Sequence, residues 1–247
     1  MVGGGVNYPR VAIEKPIADT YRHARRLLSV SNGFQIYSLN HKVFGLPVLA
    51  FLEQCRKDPD LLRQVRSIEA VFYERSGFKY GRQQEDCVED VQIHPFMAGL
   101  VAPFRAARIP FAVKKLERVS VATHQPDPDG QYASPNVWTA SRIQAQVQEL
   151  VDAQEVMFDS RQLKGAPNDD KVIRYYGSNG ELLMHLDLSD SGSRVYVRML
   201  EAVMQPRVDM WVSLVDAIEA MKFIDACRKR ARVEPSYPFG TLPDFLI

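Results

Sequence analysis

The side chains best suited to catalysis in this sequence are an imidazole and a carboxylate two positions apart. His185 and Asp187 lie in a predicted strand, and residues two positions apart share one face of a sheet. A base beside a carboxylate can activate a nucleophile or move a proton. The polar loop 74–90 is the second candidate location for an active site. A solvated strand face is the simpler interpretation of the pair, and the sequence leaves both open.

Known motifs for nucleophilic, phosphate or metal chemistry do not occur in the sequence. Four acidic residues surround Cys87 and disfavour its thiolate, which makes it a poor nucleophile. Cys87 and His94 lie seven positions apart, and no second pair at matching spacing completes a zinc site. A phosphate-binding glycine loop and a nucleophile elbow are both missing. The sequence therefore predicts no cofactor and no metal ion, and it leaves the catalytic residues unknown.

Two clusters of basic residues are the candidate interaction sites. Residues 1–123 carry 18 basic and 12 acidic residues, a net charge of +6, whereas residues 124–247 carry a net charge of −5. Either cluster could contact phosphate groups, but neither has the interleaved aromatic residues that stack on single-stranded bases. Solvated helix faces are the simpler interpretation. The clusters are Arg22, Arg25 and Arg26, and Arg228, Lys229 and Arg230.

Composition and cysteine usage exclude several classes of protein. The 247 residues carry a net charge of +1 and three widely spaced cysteines, which is not a disulfide framework. No run of apolar residues is long enough to span a membrane. We therefore expect an intracellular protein, cytoplasmic or nuclear, that does not bind a membrane.

The first half of the chain predicts alternating helices and strands. A helix capped by Asp19 precedes a strand over 34–39, and a second helix over 47–56 precedes a strand over 65–73. Further along, the pattern predicts a helix over 95–107 and a strand over 116–122. The proline-rich loop 124–136 is the strongest loop signal, so we expect one domain over 1–247 with a seam in that loop.

The second half predicts helices around a β-hairpin. Asn179-Gly180 separates two β-rich runs, which is the strongest short-range signal for a hairpin, here over 171–188. Apolar spacing predicts a long amphipathic helix over 140–158 and another over 209–231. Residues 193–204 fit a helix or a strand, with the helix favoured. The fold class is therefore α+β or α/β, with helices on a mixed sheet.

One stretch resembles fungal F-box-like proteins of unassigned function. It comprises residues 27–72, with an L-x-x-F-L-like helix between two strands, and the strand 115–121. The F-box helix that usually begins those proteins is not found. The resemblance implies a protein-interaction scaffold rather than an enzyme.

The sequence thus favours a non-catalytic protein-interaction or structural protein with another protein as its partner. The first alternative is an enzyme whose site is assembled from scattered residues. The second is a nucleic-acid-associated protein that uses the basic first half of the chain. The apolar C-terminal tail is expected to pack on the core.

Overall fold

A computed structural model describes most of the chain. The described residues are 9–15, 17–31, 34–74, 93–110, 112–125, 138–148, 154–162, 170–190, 192–204, 212–238, 241 and 243–246.

A small sheet of three strands forms the first layer. Strand β1 (Arg10–Glu14) is parallel to β2 (Gln35–Leu39), and β9 (Val212–Ser213) pairs with β2 in the antiparallel direction. Helix α1 (Tyr21–Val30) connects the two parallel strands, as parallel pairing requires a crossover. The Thr20 side chain accepts a hydrogen bond from the backbone N–H of His23 and so caps the helix. Because β1 and β2 are parallel, their carboxyl ends meet at one edge of this sheet.

A larger sheet of seven strands forms the second layer. Its order is β10-β4-β5-β6-β3-β7-β8, and all neighbours are antiparallel except the pairs β3–β6 and β4–β10. The strands are β3 (Ser67–Glu74), β4 (Ala112–Ala122), β5 (Ala140–Gln148), β6 (Gln154–Gln162), β7 (Lys171–Tyr176), β8 (Leu182–Asp187) and β10 (Arg232–Val233).

Helices cover the sheets and bury a common core. The bounds are α2 (Leu46–Lys57), α3 (Asp60–Arg63), α4 (Ile93–Phe96), α5 (Ala102–Ala106), α6 (Ser193–Met204) and α7 (Leu214–Arg230), with a 3-10 turn over His41–Phe44. A π-helical turn, Met97–Val101, joins α4 to α5. A capping box formed by Ser213 and Asp216 starts α7, and three consecutive cations end it.

The predicted fold class is confirmed. Helices pack on a mixed sheet, and the hairpin β7–β8 turns at Asn179-Gly180, where Gly180 adopts a φ of +75°. The predicted helices over 47–56 and 95–107 match α2 and the segment α4–α5. The helix interpretation of 193–204 is confirmed as well. The predicted seam at 124–136 remains a prediction, because residues 126–137 lie outside the described part of the chain.

The predicted helix over 140–158 is wrong, because the described residues of this segment belong to the antiparallel strands β5 and β6. In β5, Ser141, Ile143 and Ala145 are buried while the residues between them are half-buried. This alternation is the period of a strand, and it fits the sheet between β4 and β6. A helical stripe through Ile143 and Val147 could be drawn as well, so the period of the strand was missed.

Two further differences concern the ends of the chain. Strand β1 was not predicted, although it pairs with β2 along its whole length. Helix α7 begins at Leu214 rather than at the predicted residue 209. In the C-terminal tail, Leu246 is buried against Ala122 and Ala140, so this part of the tail packs on the large sheet.

A close contact at Gly99 fixes how the π-helical turn lies on the large sheet. A Cβ atom at Gly99 would lie 2.7 Å from Cδ1 of Ile173, and the carbonyl of Gly99 accepts a hydrogen bond of 2.9 Å from the Tyr175 hydroxyl. Gly99→Ala should therefore lower the free energy of unfolding by about 1–3 kcal/mol through overpacking, measured by urea denaturation.

The matched control is the double variant Gly99→Ala/Ile173→Val, which removes Cδ1, the atom nearest the added methyl group. Its free energy of unfolding should fall by less than the sum of the losses in the two single variants. Additive losses would show that the contact with Ile173 does not set the position of the turn.

Candidate functional site

The carboxyl edge of the small sheet carries polar residues from two neighbouring strands. Lys15 follows β1 and Asn40 follows β2, and the backbone N–H of Lys15 donates a hydrogen bond of 3.3 Å to the carbonyl of Leu39. Ligand sites of α/β proteins form outside the carboxyl ends of parallel strands. The edge therefore is a candidate site.

Asn40 connects this edge to the short helix α4, and it is fully buried. Its Nδ2 donates to the carbonyl of Ile93 at 3.4 Å, whereas its Oδ1 accepts from the backbone N–H of Lys42 at 3.2 Å. These two contacts fix which end of the amide is oxygen. The same Oδ1 lies 3.0 Å from Nδ1 of His94.

The orientation of Asn40 determines the tautomer of His94. An amide oxygen has no proton to give, so Nδ1 of His94 must donate the hydrogen bond. In a neutral imidazole only one nitrogen carries a proton, which leaves a lone pair on Nε2. His94 thus presents Nε2 as a proton acceptor, and its side chain lies in a buried setting, with 6% of the residue exposed.

Aromatic rings hold the His94 imidazole in place. Phe72 of β3 stacks on it with ring centroids 5.4 Å apart, and His41 contacts it edge-on at 4.7 Å. His41 in turn stacks on Tyr196 of α6 at 5.3 Å. These contacts join the small sheet, the large sheet and α6 around one imidazole.

Two lysines lie near the same phenylalanine ring. Nζ of Lys42 and Nζ of Lys171 lie 5.8 and 5.4 Å from the centroid of Phe72, within the range of a cation–π contact. Lys42 is buried, and its ammonium donates to the carbonyls of Leu188 at 2.8 Å and Asp190 at 3.3 Å. Lys171 is half-buried and pairs with Phe72 across the antiparallel strands β3 and β7. We call the cluster Lys15, Asn40, His41, Lys42, Phe72, His94 and Lys171 the His94 site.

Burial and positive charge keep His94 neutral. Burial lowers its pKa well below the usual value near 6.5, and the charges of Lys15, His41, Lys42 and Lys171 lower it further. The site therefore combines an uncharged base with several cations. The lowered pKa makes His94 a weaker base than a free histidine, but its neutral ring can accept a hydrogen bond or a proton from a hydroxyl group. The cations stabilise the negative charge that develops on the oxygen.

The sequence-predicted pair His185 and Asp187 does not form a catalytic dyad. Both residues are exposed and are not hydrogen-bonded to each other. Hydrogen bonding from the Ser189 side chain lowers the pKa of the Asp187 carboxyl most, and the 2.7 Å hydrogen bond that its Oδ1 accepts from the backbone N–H of Ser189 lowers it further. The charges of His185 and Lys42 contribute as well. Asp187 thus closes the turn after β8. Of the predicted loop 74–90, residues 75–90 lie outside the described part of the chain.

The two predicted basic clusters lie on different elements, and their role remains a prediction. Arg22, Arg25 and Arg26 are exposed on α1, where the guanidinium of Arg25 lies 5.9 Å from the ring centroid of Tyr21. In the second cluster, Nη1 of Arg230 donates to the carbonyl of Leu116 at 2.9 Å. Arg228 is half-buried and Lys229 is exposed at the end of α7.

The described residues give little evidence for a metal site, a reactive Cys55 thiol or a membrane-spanning helix. Within them, no three His, Cys, Asp or Glu side chains converge as metal ligands would. Burial raises the pKa of the Cys55 thiol to about 12, which makes it unreactive at neutral pH. Among the described helices, none has the length and apolar character needed to cross a membrane.

Sequence reasoning missed most of the His94 site because its members are spread over five segments. His94 was considered as a metal ligand, and Lys15, Asn40 and Lys171 were not singled out. One signal was available. Lys15 directly follows a short alternating run that contains Val11 and Ile13, and a charged residue just after a strand is a common position for function.

Several solved structures have a fold similar to that of this chain. No protein-family model and no curated protein sequence matches the chain. Among solved structures, a glucose-6-phosphate dehydrogenase in complex with glucose-6-phosphate superposes with a TM-score of 0.69 at 13% identity, over 97% of this chain and 67% of that one.

Two further structures are similar over most of the chain. One is a mutant of a 3-ketoreductase from Actinomadura kijaniata in complex with TDP-benzene and NADP, with a TM-score of 0.59 at 13% identity, over 92% of this chain and 71% of that one. The other is a protein of gentamicin A biosynthesis in complex with NAD, with a TM-score of 0.60 at 16% identity, over 90% of this chain and 69% of that one. At such identities the likeness shows the fold.

These similarities contradict the interpretation of the chain as a non-catalytic protein-interaction scaffold or structural protein. The fold is similar to that of a solved dehydrogenase and a solved ketoreductase. The findings favour the alternative of an enzyme with a site assembled from scattered residues. No finding bears on the resemblance to F-box-like proteins or on a protein or nucleic-acid partner, which remain predictions.

The lowered pKa of His94 predicts a loss of stability in acid. In the unfolded chain a histidine binds a proton near pH 6.5, whereas the folded protein resists protonation of His94. Below that pH the unfolded state binds more protons, so acid favours unfolding. Between about pH 7.5 and pH 5.5 this one group should remove about 1.4 kcal/mol from the free energy of unfolding.

The measurement is urea denaturation of the protein and of His94→Gln at both pH values. The variant lacks the titrating group. Between pH 7.5 and pH 5.5 its free energy of unfolding should therefore fall by about 1.4 kcal/mol less than that of the unchanged protein. An equal loss in the two proteins would mean that His94 is protonated as easily in the folded state as in the unfolded chain.

Proposed function

We propose that the protein is an enzyme that performs acid–base chemistry at a hydroxyl or carbonyl group of a small, polyhydroxylated, anionic substrate. The observation that carries the proposal is the neutral imidazole of His94, held by Asn40 with Nε2 as a proton acceptor and surrounded by lysines. Neither basic cluster has a comparable set of buried, mutually oriented groups.

The chemistry follows from the charges and their positions. Nε2 of His94 accepts the proton of a substrate hydroxyl, and in the reverse direction the protonated ring returns it to an alkoxide. The positive charges of Lys15, Lys42 and Lys171, which act on His94, also stabilise a developing alkoxide. The same positive charges destabilise the protonated His94 ring, so the ring returns its proton to the substrate oxygen readily.

The cations also indicate the kind of substrate. Lys42 donates hydrogen bonds to two backbone carbonyls, whereas Lys15 and Lys171 are half-buried. A lysine ammonium is a common partner of phosphate and carboxylate groups. The substrate named for one similar structure, glucose-6-phosphate, is a polyhydroxylated ring with a phosphate and so has both properties.

A nicotinamide dinucleotide, which is bound in two of the similar structures, is not part of the proposal. The glycine-rich loop that holds its pyrophosphate follows a strand and opens a helix, and this sequence contains no G-x-G-x-x-G in that setting. The residues present thus do not fit the pyrophosphate.

The proposal predicts that glucose-6-phosphate binds at the His94 site. Isothermal titration should give saturable binding, and glucose should bind more weakly because it lacks the charge that the lysines attract. His94→Gln should weaken binding of both sugars about fivefold by removing a hydrogen bond to a hydroxyl. Lys171→Met should weaken glucose-6-phosphate about tenfold and affect glucose much less.

The matched controls are His185→Gln and Lys57→Met, which remove the same groups at exposed positions that are not members of the His94 site. Both should bind as the unchanged protein does. Equal affinity for glucose and glucose-6-phosphate, or equal losses in the control variants, would contradict the proposal.

A further inference from the structure

A separate cavity lies between the long helix α7 and the start of strand β4. Its volume is about 480 Å³, within the range of small-molecule sites. None of the residues of the His94 site lines it. It therefore is a second place where a ligand could bind.

The lining of the cavity extends along one face of α7. Its lining residues on this helix run from Val215 to Arg230 and recur at helical spacing, so they form a stripe along almost the whole helix. The opposite wall is formed by Ile109 and by residues 112–116 of β4. Such a shape fits a linear chain better than a compact ring.

The floor of the cavity is apolar. Phe96 and Phe223 stack there with ring centroids 4.4 Å apart and nearly parallel planes. Ile109, Leu116 and Ala226 extend this surface along the helix. A hydrocarbon chain that covers it would remove apolar area from water, which is favourable.

The charges at the rim differ between the two ends of the helix. Near the start of α7, Asp216 pairs with Arg105 at 2.6 Å, and one turn later Glu219 pairs with Lys222 at 3.2 Å. These acidic groups are thus neutralised by neighbouring cations.

At the other end, two cations lack an acidic partner among the described residues. Arg230 donates to the carbonyl of Leu116, and Lys114 lies two positions before Leu116 on the same strand. Both side chains line the cavity. An anionic group at this end would meet positive charge that described acidic residues do not offset.

We propose that this cavity binds an amphipathic carboxylate with a linear hydrocarbon chain, such as a medium-chain fatty acid. The chain lies on Phe96 and Phe223, and the carboxylate lies between Lys114 and Arg230. The apolar stripe favours the hydrocarbon, and the surplus of cations at one end sets its direction.

Titration of the full-length protein with sodium decanoate, below the concentration at which it forms micelles, tests the proposal. Decanoate should bind saturably and raise the melting temperature, whereas decanol, which has the same chain without the charge, should bind about tenfold more weakly. Lys114→Gln and Arg230→Gln should each weaken decanoate about tenfold and leave decanol unchanged.

Lys229→Gln is the matched control, since Lys229 neighbours Arg230 on α7 and does not line the cavity. It should bind decanoate as the unchanged protein does. Lys114 is exposed, so its variant remains informative even if Arg230→Gln weakens the contact with Leu116.

Ala226→Phe places a ring inside the cavity and should abolish binding of both probes. Absence of saturable binding, equal affinity for decanoate and decanol, or the same loss in Lys229→Gln as in Lys114→Gln would each overturn the proposal.

Discussion

The hydrogen-bonding requirement of one buried amide determines the geometry of the His94 site. Asn40 is excluded from solvent, so its oxygen and nitrogen must find partners within the protein. Those partners are the backbone of Lys42, the backbone of Ile93 and the ring of His94. The amide thereby connects two segments that are more than fifty positions apart in sequence and sets the protonation pattern of the imidazole.

A second set of contacts holds the hairpin and α6 against the same region. The buried ammonium of Lys42 reaches the chain after β8, and the carboxylate of Asp190 accepts hydrogen bonds from Arg198 and from the backbone of Leu46. A charge inside a protein is tolerated when polar groups surround it, as the carbonyls surround Lys42. The backbone carbonyls thus offset the cost of burying the positive charge of Lys42 in the His94 site.

Local patterns were enough to predict the fold class but not the site. The hairpin was predictable because Asn179-Gly180 specifies its turn within a few residues, and α2 was predictable from its apolar face and Pro47. The segment 140–158 was misinterpreted because its apolar residues fit two periods, and pairing with neighbouring strands selected one of them. The His94 site depends on contacts between segments distant in sequence, about which local periodicity carries no information.

The order of strands in the large sheet has a consequence for how the chain folds. Strand β3 is parallel to β6 on one side and antiparallel to β7 on the other, and both partners follow it by many residues. The meander β4–β5–β6 and the hairpin β7–β8 can each form from neighbouring segments, but they become one sheet when β3 enters between them. Closing such long loops costs entropy before any contact repays it, so this insertion is expected to be the slow step of folding. Until it occurs, an apolar strand with two unpaired edges is exposed, and this strand, which carries Phe72, is where aggregation would compete with folding.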